Sequence, residues 1–272
     1  GNISVQGGAQ SGNGGFVETS GEILDVQTAP NLAAPHGQGG TWLLDPAVAT
    51  ISTVSIGDTL SDSGFSSTPS AFTLSSDTPT ISQSTLLAAL ATGNVTIDAS
   101  TGGSGSGNGT ITWTQSNGAV TTNVTNTNGF STLTLNAPNQ VFLNGVNLSF
   151  TGEKVNVVIN SSTSSGNVDI NNSTLNLNGG DFTAYGTGNT VVSNPDGIDI
   201  TGSTIDAEGG SINLTGQIAS GSGGGVGVFI GNAIVESADT STEPAITSGN
   251  ITINGNGSPG VGNTAVLNLV GV

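Results

Sequence analysis

The chain has 272 residues; 44 are glycine, 33% are hydrophobic, 7% are charged, and cysteine and methionine are absent. A single Lys or Arg against 18 acidic residues sets the formal charge at −17. That leaves no basic footprint for nucleic acid or anionic lipid head groups, and without cysteine there is neither a disulfide framework nor thiol chemistry. The Gly, Thr and Asn content excludes a helix bundle. Because short apolar alternations persist along the chain, its low hydrophobicity points to a repetitive β-structure and away from disorder. With no methionine, residue 1 is not an initiator, so the chain reads as a processed product or an excised segment. It shows no signal peptide and no apolar run near the roughly 18 residues of a membrane span.

The chain opens on Gly1-Asn2-Ile3-Ser4-Val5, a short alternation behind a turn-former. The same Gly-Asn-apolar-x-apolar pattern returns at Gly93–Ile97, Gly166–Ile170 and Gly249–Ile253, each placing two apolar side chains on one strand face. Next comes Gly14-Gly15-Phe16-Val17-Glu18-Thr19-Ser20-Gly21, and then a turn-rich loop, Ala33–Gly40, with the lone histidine, His36. The segment Trp42-Leu43-Leu44-Asp45-Pro46 has one of two tryptophans and reads as an anchoring strand. Pro46 cannot donate to a ladder, so the run should end there.

Between Pro46 and Asn94 the rhythm breaks. Residues 57–79 are rich in Ser, Thr, Asp and Pro, and 47–92 reads as a loop and short-helix excursion from one continuous domain, 1–272. The helix is expected over 82–92: Ser82 or Ser84 can cap it, Leu86 and Leu90 lie one turn apart, and Gly93 can terminate it. Gly102–Gly109 and Ser220–Gly225 read as loops.

Beyond Asn94 the sequence repeats. Val168–Leu175 aligns without a gap on Ile198–Ile205, and Gly179-Gly180 on Gly209-Gly210, an offset of 30 residues. Self-similarity at this period predicts a solenoid, and short alternating strands with small-residue turns make it an all-β, right-handed parallel β-helix. Expected inward residues are Ile111, Trp113, Leu133, Leu135, Val141, Leu143, Val146, Leu148, Phe150, Val155, Val157, Ile159, Val168, Ile170, Leu175 and Leu177. The later coils add Ile198, Ile200, Ile205, Ile212, Leu214, Val226, Val228, Ile230, Ile251, Ile253, Leu267 and Leu269.

Chemistry is sparse. A β-helical lyase of acidic polysaccharides needs cationic groups, and Lys154 stands alone. Pairs for glycoside hydrolysis have candidates across the repeat, the two carboxylates Asp169 with Asp199 and the amide Asn176 with Asp206, although outward solubilising roles account for them better. His36 has no second His, Cys or nearby acid with which to hold a metal. No calcium loop of the EF-hand or nonapeptide type is present, so Ca2+ enters only as a bridging ion for the acidic surface. Glycosylation sequons occur at Asn2, Asn94, Asn108, Asn123, Asn147, Asn160, Asn171, Asn172, Asn213, Asn250 and Asn256. Turn formation and coil-to-coil Asn stacking are their structural alternative.

The segments Gly14–Gly21 and Trp42–Pro46 together resemble the large exoproteins of bacterial two-partner secretion, the filamentous haemagglutinins and high-molecular-weight adhesins, which carry GGFVETSG followed by WLLDP. The resemblance extends over about residues 1–98, through the short Leu/Ala helix and the following Asn94–Ile97 strand. It implies a non-enzymatic chain that crosses the outer membrane through a dedicated barrel partner and folds outside. The implied role is adhesion at the cell surface, through glycans or proteins of a host or neighbouring cell. Two alternatives stay open: a protomer that polymerises end to end into an extracellular filament or sheath, and a β-helical glycosidase.

Overall fold

Where apolar and polar residues alternate, a strand buries one face and needs a partner for its edges. Here each strand takes its counterparts from the coils before and after it. The computed structural model describes residues 2–21, 24–26, 28–52, 80–99, 109–115, 118–127, 129–161, 166–189, 195–219, 224–238 and 248–257. The first strands are β1 (Phe16–Gly21), β2 (Asp25–Val26), β3 (Thr41–Pro46), β4 (Val48–Ser52) and β5 (Thr80–Ser82). Helix α1 (Gln83–Leu90) leads to β6 (Asn94–Asp98), β7 (Thr110–Thr114) and β8 (Val120–Val124). Two regular coils follow: β9 (Phe130–Ala137), β10 (Gln140–Asn144) and β11 (Asn147–Gly152), then β12 (Lys154–Ser161), β13 (Asn167–Asn171) and β14 (Thr174–Asn176). The remaining strands are β15 (Phe182–Gly188), β16 (Ile198–Thr201), β17 (Thr204–Asp206), β18 (Ile212–Ile218), β19 (Val228–Gly231), β20 (Ile234–Glu236) and β21 (Ile251–Asn256).

All strand pairings between these elements are parallel, and they build three sheets that face one core. The first sheet runs β1-β3-β6-β9-β12-β15-β18-β21, the second β19-β16-β13-β10-β7-β4-β5-β2, and the third β20-β17-β14-β11-β8. From β6 onward the chain visits them in turn, one rung per coil. This is an all-β parallel β-helix, as the repeat requires. The 30-residue register holds as expected, Val168↔Ile198 and Leu175↔Ile205, and continues for one more coil to Val228 and Val235.

The inward side chains are those the alternation selects. Trp113, Leu133, Val141, Leu148, Ile159, Ile170, Leu177, Ile205 and Leu214 are all buried. Three expectations need correction. Val226 is half-buried, because it precedes β19 and accepts no place in the strand face. Ile251 is 44% exposed and Ile253 only partly buried, although their rung partners Ile212 and Leu214 are fully buried. They stand on β21, the end strand of the first sheet among the described residues, with a described rung on one side only. Leu267 and Leu269 lie outside the described residues.

The expected excursion is narrower than 47–92. Val48–Ser52 continues directly from the Pro46 corner as a strand paired with β7, and Thr80–Ser82 returns beside it in the same sheet. Residues 53–79 lie outside the described residues, as do most of the Gly102–Gly109 and Ser220–Gly225 loops. Helix α1 follows at once, occupying the side of its coil that the third sheet occupies later. Just past its end, the Ala91 carbonyl accepts the N–H of Thr125, the residue after β8, the first strand of the third sheet. Ser82 takes the N-cap position without a side-chain cap bond, its hydroxyl lying 2.8 Å from that of Ser84. Leu86 and Leu90, one turn apart, are both buried, and Gln83, also buried, accepts the Trp113 indole N–H at 2.8 Å.

Corners follow from local chemistry. Between the second and third sheets, Gly145, Asn172, Gly202 and Asn232 all take left-handed φ, 47 to 68°, which Gly and Asn tolerate best. Between the third and first sheets a different rule operates. Register places Gly15, Gly40, Gly93, Ser131, Val155, Gly180, Gly210 and Gly249 on one line across the sheet. At Gly180, Gly210 and Gly249 an added Cβ would sit 2.0 Å from the preceding rung's carbonyl oxygen. Here glycine is required for close approach, not for φ.

Candidate functional site

The two segments that carry the family resemblance are adjacent rungs. Phe16–Gly21 pairs residue for residue with Thr41–Pro46, so Val17 meets Trp42 and Gly21 meets Pro46. Trp42 and Leu44 point into the core, 2% and 0% exposed, while Leu43 and Asp45 stand half-buried on the outer face. The Trp42 indole N–H donates to Thr19 Oγ1 at 3.0 Å. Trp42 is thus buried within the coil itself; of the loop over residues 47–80 that the sequence places over it, residues 53–79 lie outside the described residues. Phe16 and Glu18 face solvent. Before Thr41, the Gly39 N–H donates to the buried Asn126 Oδ1 at 3.2 Å.

His36 is exposed and borders an open cleft of about 360 Å³ with Asn13, Pro35, Gln38 and Thr127. The loop is fixed by Thr127 Oγ1, 2.7 Å from both the Ala34 and Gly37 carbonyls, and by the Gln38 N–H donating to Asn13 Oδ1. These contacts shape the cleft without converging charged groups on it.

Both candidate pairs are brought together by register, Asp169↔Asp199 and Asn176↔Asp206, but only the first consists of two carboxylates. On the third sheet, Asn176 Nδ2 donates to Glu208 Oε1 at 2.7 Å, and Asp206 Oδ1 accepts the Glu208 N–H at 2.9 Å. That ladder satisfies itself; on the next rung, burial first and Asp206 second push the Glu236 carboxyl above its usual range. On the second sheet, burial raises the Asp169 carboxyl to about 6, reinforced by Asp199 and Asp196 and opposed by a hydrogen bond from Asn171. Asp196 is also raised, chiefly by burial, against the Val226 N–H that it accepts. Asp199 Oδ1 accepts the Thr201 hydroxyl. Among the described residues no three His, Cys, Asp or Glu side chains come together to hold a metal ion.

The sequons lie on outer faces and corners. Asn2, Asn123, Asn160, Asn172, Asn213, Asn250 and Asn256 are exposed, whereas Asn94, Asn147 and Asn171 are half-buried; Asn108 is outside the described residues. Some serve structure: Asn160 donates to Asn136 on the adjoining rung, and Asn94 Oδ1 accepts the Thr132 N–H. Sequence reasoning gave no role to Ser173 and Ser203, which form a buried corner ladder. Ser203 Oγ accepts the Ser173 N–H at 3.0 Å, and Ser173 Oγ accepts that of Val146. Their common offset of 30 residues was the available signal. Asn167, also fully buried, was overlooked too, but there the offset gives no signal, since the aligned residue is Gly197.

Comparisons of the chain with known family profiles, with curated proteins and with solved structures return no match.

Proposed function

We propose that this chain is a stretch of a secreted, cell-surface β-helical exoprotein of the two-partner secretion kind, acting in adhesion. The observation that carries the reading is the registered pairing of Phe16–Gly21 with Thr41–Pro46. The two segments behind the resemblance have one shared structural job, with Trp42 inward and Phe16 and Glu18 presented outward. Further support comes from the outer faces, where acidic, Asn, Ser and Thr side chains form ladders along the axis. Such a surface suits contacts distributed along a rod. Secretion through an outer-membrane barrel partner and binding to glycans or proteins of another cell belong to this reading. Beads coated with the purified chain should adhere saturably to host epithelial cells or to bacterial cells, and soluble chain should compete. Failure to adhere to either cell type, with the chain shown to be folded, overturns it.

The filament reading has an observation of its own. Large apolar side chains are exposed near both ends of the described coil, Ile3 and Phe16 at one and Ile234 and Ile251 at the other. End-to-end association would cover them, and it is the second reading we retain.

A further inference from the structure

On the outer face of β13, Asn167 and Asp169 stand two positions apart, while Val168 and Ile170 point inward. Asn167 is completely buried and Asp169 is 8% exposed. Yet neither Oδ1 nor Nδ2 of Asn167 has a hydrogen-bond partner, and Asp169 Oδ1 has none either. Native structures rarely bury polar atoms in this way without something to serve them. On the next rung Asp199 stands in register with Asp169, a strand spacing of about 4.8 Å away. Like charges directly opposite one another repel.

The two coils that follow fill this position without a side chain. Gly197 and Gly227 occupy the rungs after Asn167, and at both an added Cβ would come within about 2.7 Å of main-chain atoms. The preceding rung carries Gln140 here and the two that follow carry only glycine, whereas the rung of Asp169 carries a fully buried amide whose oxygen is unused. Positions i and i+2 of a strand are about 6.6 Å apart, so two carbonyl-type oxygens from Asn167 and Asp169 can approach one ion between them.

The geometry points to a divalent-cation site, of calcium-like chemistry, formed by the side-chain oxygens of Asn167, Asp169 and Asp199 on the outer face of the second sheet. The donors are all hard oxygens, with no nitrogen or sulfur, and their number leaves room for the water ligands of a flexible Ca2+ shell. The ion takes the unpaired oxygens of Asn167 and Asp169 and offsets two adjoining negative charges, which a water molecule cannot do. Two carboxylates and one amide form the set, which therefore differs from a three-acid centre.

Calorimetric titration of the whole chain with CaCl2 at pH 7.5 tests this, alongside thermal melts in CaCl2 and in EDTA. We expect one saturable site in roughly the 0.1–1 mM range of extracellular calcium modules and a melting temperature that rises with Ca2+ and falls back in EDTA. Asn167→Gly installs the residue that the next coils use and should weaken binding about tenfold or more, the scale of metal-site perturbations. Asp169→Asn should do the same, and Asp206→Asn on the third sheet should leave binding unchanged. If either variant fails to fold, the other decides. No saturable binding in the millimolar range, or binding that survives both Asn167→Gly and Asp169→Asn, overturns the site; water would then serve the unpaired atoms.

Discussion

A Cβ atom added to Gly210 would lie 2.0 Å from the carbonyl oxygen of Gly180 on the preceding rung. Rungs cannot separate locally without breaking the ladder on both sides, so the backbone at this line is packed to its limit. Gly210→Ala is expected to destabilise the chain by about 1–3 kcal/mol, the scale of overpacking in a closed site. Gly118→Ala, where an added Cβ meets nothing within 4 Å, should stay within about 0.5 kcal/mol. Equal melting temperatures for the two variants would show that the rungs yield more easily than this.

Trp42 fills the core behind the outer face of its strand and donates its indole N–H to Thr19. Trp42→Ala should cost about 3–5 kcal/mol through the cavity it leaves. Trp42→Phe keeps most of the volume and should cost much less. A loss below about 1 kcal/mol for the alanine variant would mean that the segment is maintained for export or recognition instead of packing.

Gln83 and Trp113 form a second, more isolated pair, hydrogen-bonded at 2.8 Å and both buried. This bond ties the first residue of α1 to the second sheet. Gln83→Leu leaves the indole N–H unsatisfied and should cost about 1–3 kcal/mol. Combined with Trp113→Phe, the added cost of Gln83→Leu should largely vanish, since the orphaned donor is gone. Strict additivity in that double-mutant cycle would contradict the account.

The architecture was legible in the sequence because strand alternation and a 30-residue offset are local, repetitive signals. Val168, Ile170, Ile198 and Ile200 had only one face on which to meet. The end of the first sheet was less legible: Ile251 follows the same pattern as Ile212, and only the number of neighbouring rungs separates a buried side chain from an exposed one. Val48–Ser52 was missed for another reason. Its place depends on pairing with Thr110–Thr114 across a long stretch of chain, which no local pattern records. The Asp169–Asp199 neighbourhood could be read from the offset, whereas the burial of Asn167 could not, because the aligned residue Gly197 hides that a side chain must fit there.

Asp169 also sets a pH dependence in metal-free protein. Its carboxyl lies near 6 in the fold, against 3.8 for an unperturbed Asp. The folded state therefore holds this proton more tightly than the unfolded state. Stability from this group is full below about pH 4, falls as the pH rises to about 6, and stays lost above that. Asp196 and Glu236, also raised, act in the same direction. In EDTA, Asp169→Asn should flatten the decline and melt a few degrees higher than the native chain at pH 7. A lower melting temperature for that variant would rule out burial of the charge as the cause.

Association offers a separate test. The chain carries −17, and screening cuts the reach of that repulsion to about 8 Å at physiological ionic strength. If the exposed end residues seek partners, light scattering should increase with NaCl while the circular dichroism of the coil stays constant. Scattering that stays at the monomer value in high salt would remove the filament reading and leave the adhesion reading standing.

The line of glycines that begins at Gly15 also acts as a ruler for the chain. From Gly15 to Gly40 the path is short; from Gly40 to Gly93 it is about twice as long and includes α1, yet both stretches return to the same mark. Coil length is thus free between marks, provided that each mark is met. A foreign peptide grafted at a corner away from this line would extend one coil without shifting the register of any other. The fold can therefore change the segments it displays to its surroundings while its axis stays the same.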